Sequence, residues 1–246
     1  MNIKILRFCS VMSTNTEAAN QARQGADEGL CIIAREQVAG RGRQGRTWVS
    51  EKDSGLYFSI ILRPKIELRF LPLIPLMTGV AVYDTLKELG LNPELKWVND
   101  ILVGEKKICG ILAETIETAR GPAVIVGIGI NIKSSNFVDE IADTATSIMA
   151  ETGKEITGAE LAAALTPYLS YFYGILNDDG GTAEILGHWR RRSSYFSGKN
   201  VLVTLSDASF EGVTAGLEKN GALRVIRSDG SVTIVQAGDV ERLREV

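Results

Sequence analysis

The chain has 246 residues, a formal net charge of −3, 45% apolar residues and 23% charged residues. These are the values of an ordinary soluble globular protein, and a chain of this length buries a sizeable core without disulfide or metal staples. The near-neutral balance excludes a general nucleic-acid or membrane-surface binder, so any anion site must be local.

The opening, MNIKILRFCSVMSTN, is strand-like and has no long apolar core before a cleavage site. Thr14 and Glu17 have capping-box spacing, and Thr16 to Gln24 reads as a helix stopped by Gly25. Leu30 to Glu36 and Leu56 to Leu62 are strand-like. Phe70 to Val82 is the longest apolar-rich stretch, but it carries two prolines and a glycine and falls short of the roughly 20 residues that span a bilayer. Within it begins a helix over Pro75 to Leu89, with Gly90 past its end.

Leu95 to Val98 and Ile101 to Val103 read as short strands, Gly104 starts a turn, and Lys107 to Glu114 resumes a strand. Ala123 to Ile132 is nearly continuous in β-branched residues, as a strand buried on both faces would be. Ala159 to Leu176 is helical, kinked or split at Pro167, and His188 to Ser197 reads as a junction. Beyond it Asn200–Leu205, Ser209–Ala215, Ala222–Arg227 and Ser231–Gln236 alternate, with turn pairs at Ser206-Asp207, Asn220-Gly221 and Asp229-Gly230. That pattern predicts a small all-β barrel.

Cys9, Cys31 and Cys109 lack metal or redox spacing, which fits a reducing cytoplasm. The single histidine, His188, has no nucleophile motif near it. The most informative segment is Gly40-Arg-Gly-Arg-Gln-Gly-Arg46. It matches GxGxxG, but Thr47-Trp48-Val49 follows instead of a helix, so the dinucleotide fingerprint fails. Glycines let backbone N–H groups converge on an anion, and arginines offer planar forks to carboxylate and phosphate. Empty, such charges repel, so the free loop is expected to be mobile and to order around a polyanion; the bland alternative is a solvated Gly/Arg turn. Lys96-Trp-Val-Asn-Asp100 places polar groups at a strand end, and Lys107 precedes a buried strand or is a solvated turn charge. Gly127 and Gly129 mark either tight sheet packing or close approach of a ligand.

Taken together and in this order, Ser13-Thr14-Asn15, Gln37 to Trp48, Lys96 to Asp100, Lys107 to Leu112 and Gly127 to Asn131 resemble the biotin protein ligase family. The similarity covers nearly the whole chain and departs at Val98, where the family motif KWPND has proline. It implies an α+β fold: a mixed β-sheet flanked by helices, related to class II aminoacyl-tRNA synthetases and lipoate ligases, over residues 1–197. A small C-terminal SH3-like β-barrel is expected over 198–246. The opening strand and the first motif at Ser13 suggest the monofunctional type without an N-terminal DNA-binding domain.

The resemblance implies a two-step ligase. Biotin and MgATP give biotinyl-5′-AMP, and biotin then passes to a lysine of the biotin carboxyl carrier protein of acetyl-CoA carboxylase. Lys107, Arg43 and Asp100 are the implied catalytic residues, with Asp100 a candidate Mg²⁺ contact. Ser13, Thr14, Asn15, Gln37, Arg41, Gly42, Arg43, Lys107 and Gly110 are implied for biotin. Arg43, Arg46, Trp48, Asn99, Lys107 and Asn131 are implied for ATP, with Trp48 stacking on adenine and Arg242 or Arg244 a possible reach from the barrel. A homodimer is expected, with no specific DNA and no membrane partner. The competing readings are a lipoate ligase on the same fold, which would not need the polar cluster at Ser13–Asn15 and Gln37, and an RNA-binding module, which would spread its basic residues over a face.

Overall fold

The computed structural model describes residues 1–133, 143–205, 208–236 and 239–242, with no side-chain account of 239, 241 and 242. Seven strands form the main sheet: β1 Lys4–Val11, β2 Leu30–Gln37, β3 Gly55–Leu62, β4 Pro93–Lys96, β5 Asp100–Val103, β6 Lys106–Ile116 and β7 Ala123–Asn131. Their spatial order is β1-β2-β3-β7-β6-β5-β4. The β1–β2 pair is parallel and every other pair antiparallel, so the sheet is mixed as expected.

Alternation along the central strands divides the core in two. Phe58 and Ile60 on β3, with Val124 and Val126 on β7, face a large core built with helix α2, Leu73–Glu88. Ile61 and Ile125 face the other way, onto Ala18 and Ala22 of helix α1, Thr14–Arg23. Burial on both sides explains why every residue of β3 is buried. Small alanines let α1 lie close, and its short span leaves the rest of that face open.

Helices α3 Ile148–Thr152, α4 Gly158–Asn177 and α5 Gly181–Arg190 follow. Pro167 does not split α4, which runs as one helix and starts at a Thr157–Glu160 capping box. The expected junction from His188 is instead the end of α5 followed by a 3-10 turn at Ser194–Phe196. His188 packs edge-on to Phe172 at 5.1 Å, and desolvation by burial, then the nearby Arg192 charge, lowers its pKa. Its role is packing. Among the described residues no helix is long and apolar enough to cross a membrane.

The C-terminal strands are β8 Ser197–Thr204, β9 Ser209–Leu217, β10 Leu223–Ile226, β11 Val232–Val235 and β12 Asp239–Arg242. They form an antiparallel sheet ordered β11-β10-β9-β8-β12. No ladder joins β11 to β12 among the described residues, so the expected barrel is present as an open sheet. The turn pair Ser206-Asp207 lies outside the described residues.

The two sheets share apolar packing: Val201, Val203 and Leu223 belong to the same core cluster as Leu73 and Leu76. Trp97 Nε1 donates to Gly221 O at 2.9 Å, tying the turn after β4 to the β9–β10 turn. Gly221 has φ +85, and a Cβ there would lie 2.8 Å from Leu76 Cδ1. Gly221→Ala adds left-handed backbone strain and a clash at the joint, so it should destabilise the chain by about 2 kcal/mol. A urea midpoint equal to that of the parent would contradict the shared core.

Candidate active site

The open part of the α1 face becomes a cavity because of which residues fall in register. Ser59, Gly127 and Leu112 lie side by side on β3, β7 and β6, and Tyr57, Gly129 and Gly110 form the next row. Glycines occupy the middle of both rows. A Cβ at Gly127 would come within 2.2 Å of Asn15 Oδ1, and one at Gly129 within 2.5 Å of Trp48 Cε2. Sheet packing therefore explains Gly127, which makes room for Asn15. Gly129 and Gly110 form a shelf for the Trp48 indole rather than space left directly for a ligand.

The first cavity, about 750 Å³ including its open mouth, is lined by Ser13, Thr14, Asn15, Gln37, Arg41, Gly42, Arg43, Arg46, Trp48, Asn99, Asp100, Lys107 and Gly110 among others. All the expected biotin-site residues are there. A second cavity of about 820 Å³, again counting its open mouth, adjoins it, with Asn131 and Thr144 in its lining; Thr47, Trp48, Tyr57 and Lys107 belong to both. Asn131 thus stands apart from the other expected ATP residues, across the wall that Trp48 and Lys107 make. Arg242 ends β12, and Arg244 lies outside the described residues.

Several of these side chains are committed to one another. Gln37 Oε1 accepts from Thr14 N at 2.8 Å and from Thr14 Oγ1 at 3.1 Å, while its Nε2 donates to Ser50 Oγ at 2.7 Å. Gln37 therefore braces the strand end. The expected Thr14 cap does not form: Ser13 is the N-cap, and neither hydroxyl caps the helix. Thr14 instead turns into the sheet face. Buried Ser59, which the sequence pattern did not single out, lies 2.8 Å from Thr14 Oγ1 and 2.7 Å from Asn15 Oδ1. With one proton it donates to one of them at a time.

Glu114, also unsignalled, accepts from Asn15 Nδ2 at 2.7 Å and from Arg41 Nη2 at 2.8 Å. Asn99 Nδ2 donates to Ile111 O at 2.9 Å, and its Oδ1 accepts from Arg43 Nη1, also at 2.9 Å. The Gly/Arg segment is folded on itself. Gly42 N donates to Arg46 O at 2.7 Å, Trp48 N donates to Gly40 O at 3.0 Å, and Arg41 bridges to Thr47. A Cβ on Gly40 would meet Trp48 O at 2.2 Å, so glycine alone permits this closure.

Lys107 Nζ lies 2.7 Å from Asp100 Oδ1 and 5.5 Å from the Trp48 ring centroid. The contact is an ion pair without the alignment of a directed hydrogen bond. Lys107 and Gly110 are three residues apart and in a regular strand would face opposite sides. A register shift between Ile101 and Leu102 brings them together, with the Lys107 side chain against Gly110 and Asp100 paired with Gly110 across β5 and β6. Neighbouring Cys109 is fully buried, and burial raises its thiol pKa, which removes it as a nucleophile. Among the described residues no group of three or more His, Cys, Asp or Glu is placed to hold a metal ion.

The geometry has known counterparts. Residues 7–131 match the Biotin/lipoate A/B protein ligase family and residues 196–243 match the Biotin protein ligase C terminal domain. The Biotin--[acetyl-CoA-carboxylase] ligase of Paracoccus denitrificans is 31% identical over 93% of this chain and 96% of its own length. The Bifunctional ligase/repressor BirA of Bacillus subtilis is 34% identical over 96% of this chain and 73% of its own length. The biotin protein ligase of Aquifex aeolicus, solved with biotin and ATP, superposes with a TM-score of 0.84 at 29% identity, covering 98% of this chain and 99% of that one.

Trp97 and Trp189 are buried, whereas Trp48 is half-exposed at the cavity wall. Gly129→Ala should push the Trp48 indole off its shelf and raise the fraction of tryptophan fluorescence quenched by acrylamide. Unchanged quenching would show that the indole does not rest on Gly129.

Proposed function

This chain belongs to the Biotin/lipoate A/B protein ligase family, and from that membership and the paired cavities we propose how it makes biotinyl-5′-AMP and passes biotin to a carrier-protein lysine. It is a biotin ligase that uses ATP. The observation that carries the reading is the position of Lys107 in the wall between the two cavities.

In the first step a biotin carboxylate oxygen attacks the α-phosphorus of ATP. A C–O–P link forms, the bond to the β-phosphate breaks, and pyrophosphate leaves with the electron pair. Two like unit charges at 4 Å repel by about 4 kcal/mol at an effective dielectric of 20. Biotin enters the first cavity with its polar ureido ring toward Ser13, Thr14 and Asn15, and the adenine enters the second beside Trp48 and Asn131. Carboxylate and α-phosphate then meet at Lys107, whose ammonium swings from Asp100 to both. Arg43 and Arg46 add fixed charge over the phosphoryl oxygens. Arg41, paired with Glu114, contributes by closing the wall, and Gln37 and Asn99 act by bracing Thr14 and Arg43.

Magnesium keeps several waters and binds through one or two carboxylates together with substrate phosphates. Asp100, the carboxylate lining the first cavity, suits an ion delivered with the triphosphate, where it would neutralise the leaving pyrophosphate. In the second step the neutral acceptor amine forms an amide bond to the acyl carbon. The bond to AMP breaks, AMP leaves with the electron pair, and Asp100 takes the amine proton. The folded Gly/Arg segment shields the mixed anhydride from water meanwhile.

In this reading residues 1–197 are catalytic and 198–246 are the C-terminal module, at work in the cytoplasm without specific DNA. A homodimer is supported by β1, which among the described residues pairs only with β2, forms a sheet edge and exposes Leu6.

Purified protein should release pyrophosphate with biotin and MgATP together and not with either alone; equal release with lipoate would favour the lipoate-ligase reading. Lys107→Ala should slow adenylate formation by about a hundredfold or more with an unchanged melting temperature, and a parent-like rate would overturn the mechanism. Arg43→Gly cuts the tie to Asn99, so adenylate should escape and label bystander lysines. Retention equal to that of the parent would contradict the shielding role.

A further inference from the structure

Lys107 also lines a third cavity. This groove measures about 1320 Å³ including its open mouth; Asp100 lines it too, and Glu94, Lys96, Glu105, Tyr195 and Lys199 contribute to its lining. It runs from the reactive pair along β4 and β5 to the 3-10 turn and β8, so both modules contribute to it. Three reactants must converge in the proposed reaction, namely a carboxylate, a nucleotide and an amine. The first two cavities accommodate two of them.

We propose that this groove receives the lysine-bearing segment of the acceptor protein and that Glu105 and Lys199 at its rim help to select that protein. The inference rests on the ligase reading and adds the acceptor's route to it. Charge favours a protein segment over the departing pyrophosphate. The groove lining holds Glu94, Asp100 and Glu105 against Lys96, Lys107 and Lys199, and so evenly balanced a surface gives little attraction to a polyanion. A polypeptide carrying both signs of charge is matched by it.

Chemistry favours the amine as well. Asp100 lines both this groove and the first cavity. An incoming ammonium therefore meets a carboxylate able to accept its proton just before it meets the acyl carbon. When Lys107 has swung to the ligand phosphate, Asp100 is released for that task.

The mode of recognition follows from the edge of the sheet. Along β4, Leu95 N already donates to Arg192 O at 3.1 Å, and Leu95 O accepts from Ser193 Oγ at 2.5 Å. The acceptor thus cannot add a strand there and must be read by side chains. Lys199 Nζ is steadied by Ser194 Oγ at 2.9 Å and lies 5.0 Å from the Tyr195 ring centroid. Glu105 stands exposed in the β5–β6 turn.

The test uses the full chain, Lys199→Glu and Glu105→Lys, with the biotinyl domain of a bacterial biotin carboxyl carrier protein as acceptor. Three rates are compared: biotin-dependent ATP–pyrophosphate exchange, transfer from preformed biotinyl-5′-AMP to hydroxylamine, and transfer to the carrier domain. Reversing a rim charge should lower kcat/KM for the carrier about tenfold, mostly through KM. Exchange and hydroxylamine transfer should stay within about twofold, a split that general loss of structure would not give. Carrier transfer unchanged in both variants would overturn the proposal. So would a parallel fall in exchange, which would make the groove a phosphate site. Absence of biotin-dependent exchange in the parent chain would instead overturn the ligase reading beneath it.

Discussion

Four cationic side chains meet at one cavity wall, and carboxylates make that gathering tolerable. Arg41 is held by Glu114 and Lys107 by Asp100, while Arg43 is tied to the neutral carbonyl of Asn99. Unpaired, these cations would repel one another by about as much as the reactants do. Pairing holds Arg41 and Lys107 at the wall where, in the proposed reaction, two anions meet. In the proposed mechanism the Lys107–Asp100 contact is the one that must be exchangeable. It is short but poorly aligned, so a ligand phosphate can replace the carboxylate without breaking a well-directed hydrogen bond.

The sheet supplies the floor on which this arrangement stands. A helix as short as α1, packed through alanines, leaves part of one face open and begins where Thr14 and Asn15 can dip into it. Glycines in two adjacent rows then set the height of what lies above, Asn15 over Gly127 and Trp48 over Gly129 and Gly110. The register shift next to Lys107 places its ammonium on that same floor. Each device is a backbone feature, and together they put three cavities around one amine.

Much of this was legible in the residues. Hydrophobic alternation located the strands, and the doubly buried β7 was signalled by its β-branched run. The Gly/Arg segment, with the lysine and asparagine motifs, marked the residues that line the first cavity. What stayed hidden depended on long-range pairing. Ser59 and Glu114 sit in ordinary strand sequence, and only register brings them to Thr14, Asn15 and Arg41. The same holds for Thr14, whose spacing to Glu17 fits a cap although tertiary contacts take the hydroxyl elsewhere. Helix α5 was missed because His188 and the arginines after it read as a polar junction. Gln37 and Asn99 were expected at the site and line the first cavity, but their bracing contacts depend on partners far away in the chain.

The central claim is that Lys107 leaves Asp100 to join two anions across the wall between the cavities. Co-crystallisation of the chain with biotin and a non-hydrolysable ATP analogue tests it most directly. The account requires Lys107 Nζ within hydrogen-bond distance of both the biotin carboxylate and the α-phosphate, with the adenine in the cavity bordered by Asn131. A complex in which Lys107 remains on Asp100 while the ligand carboxylate and phosphate lie apart would contradict it.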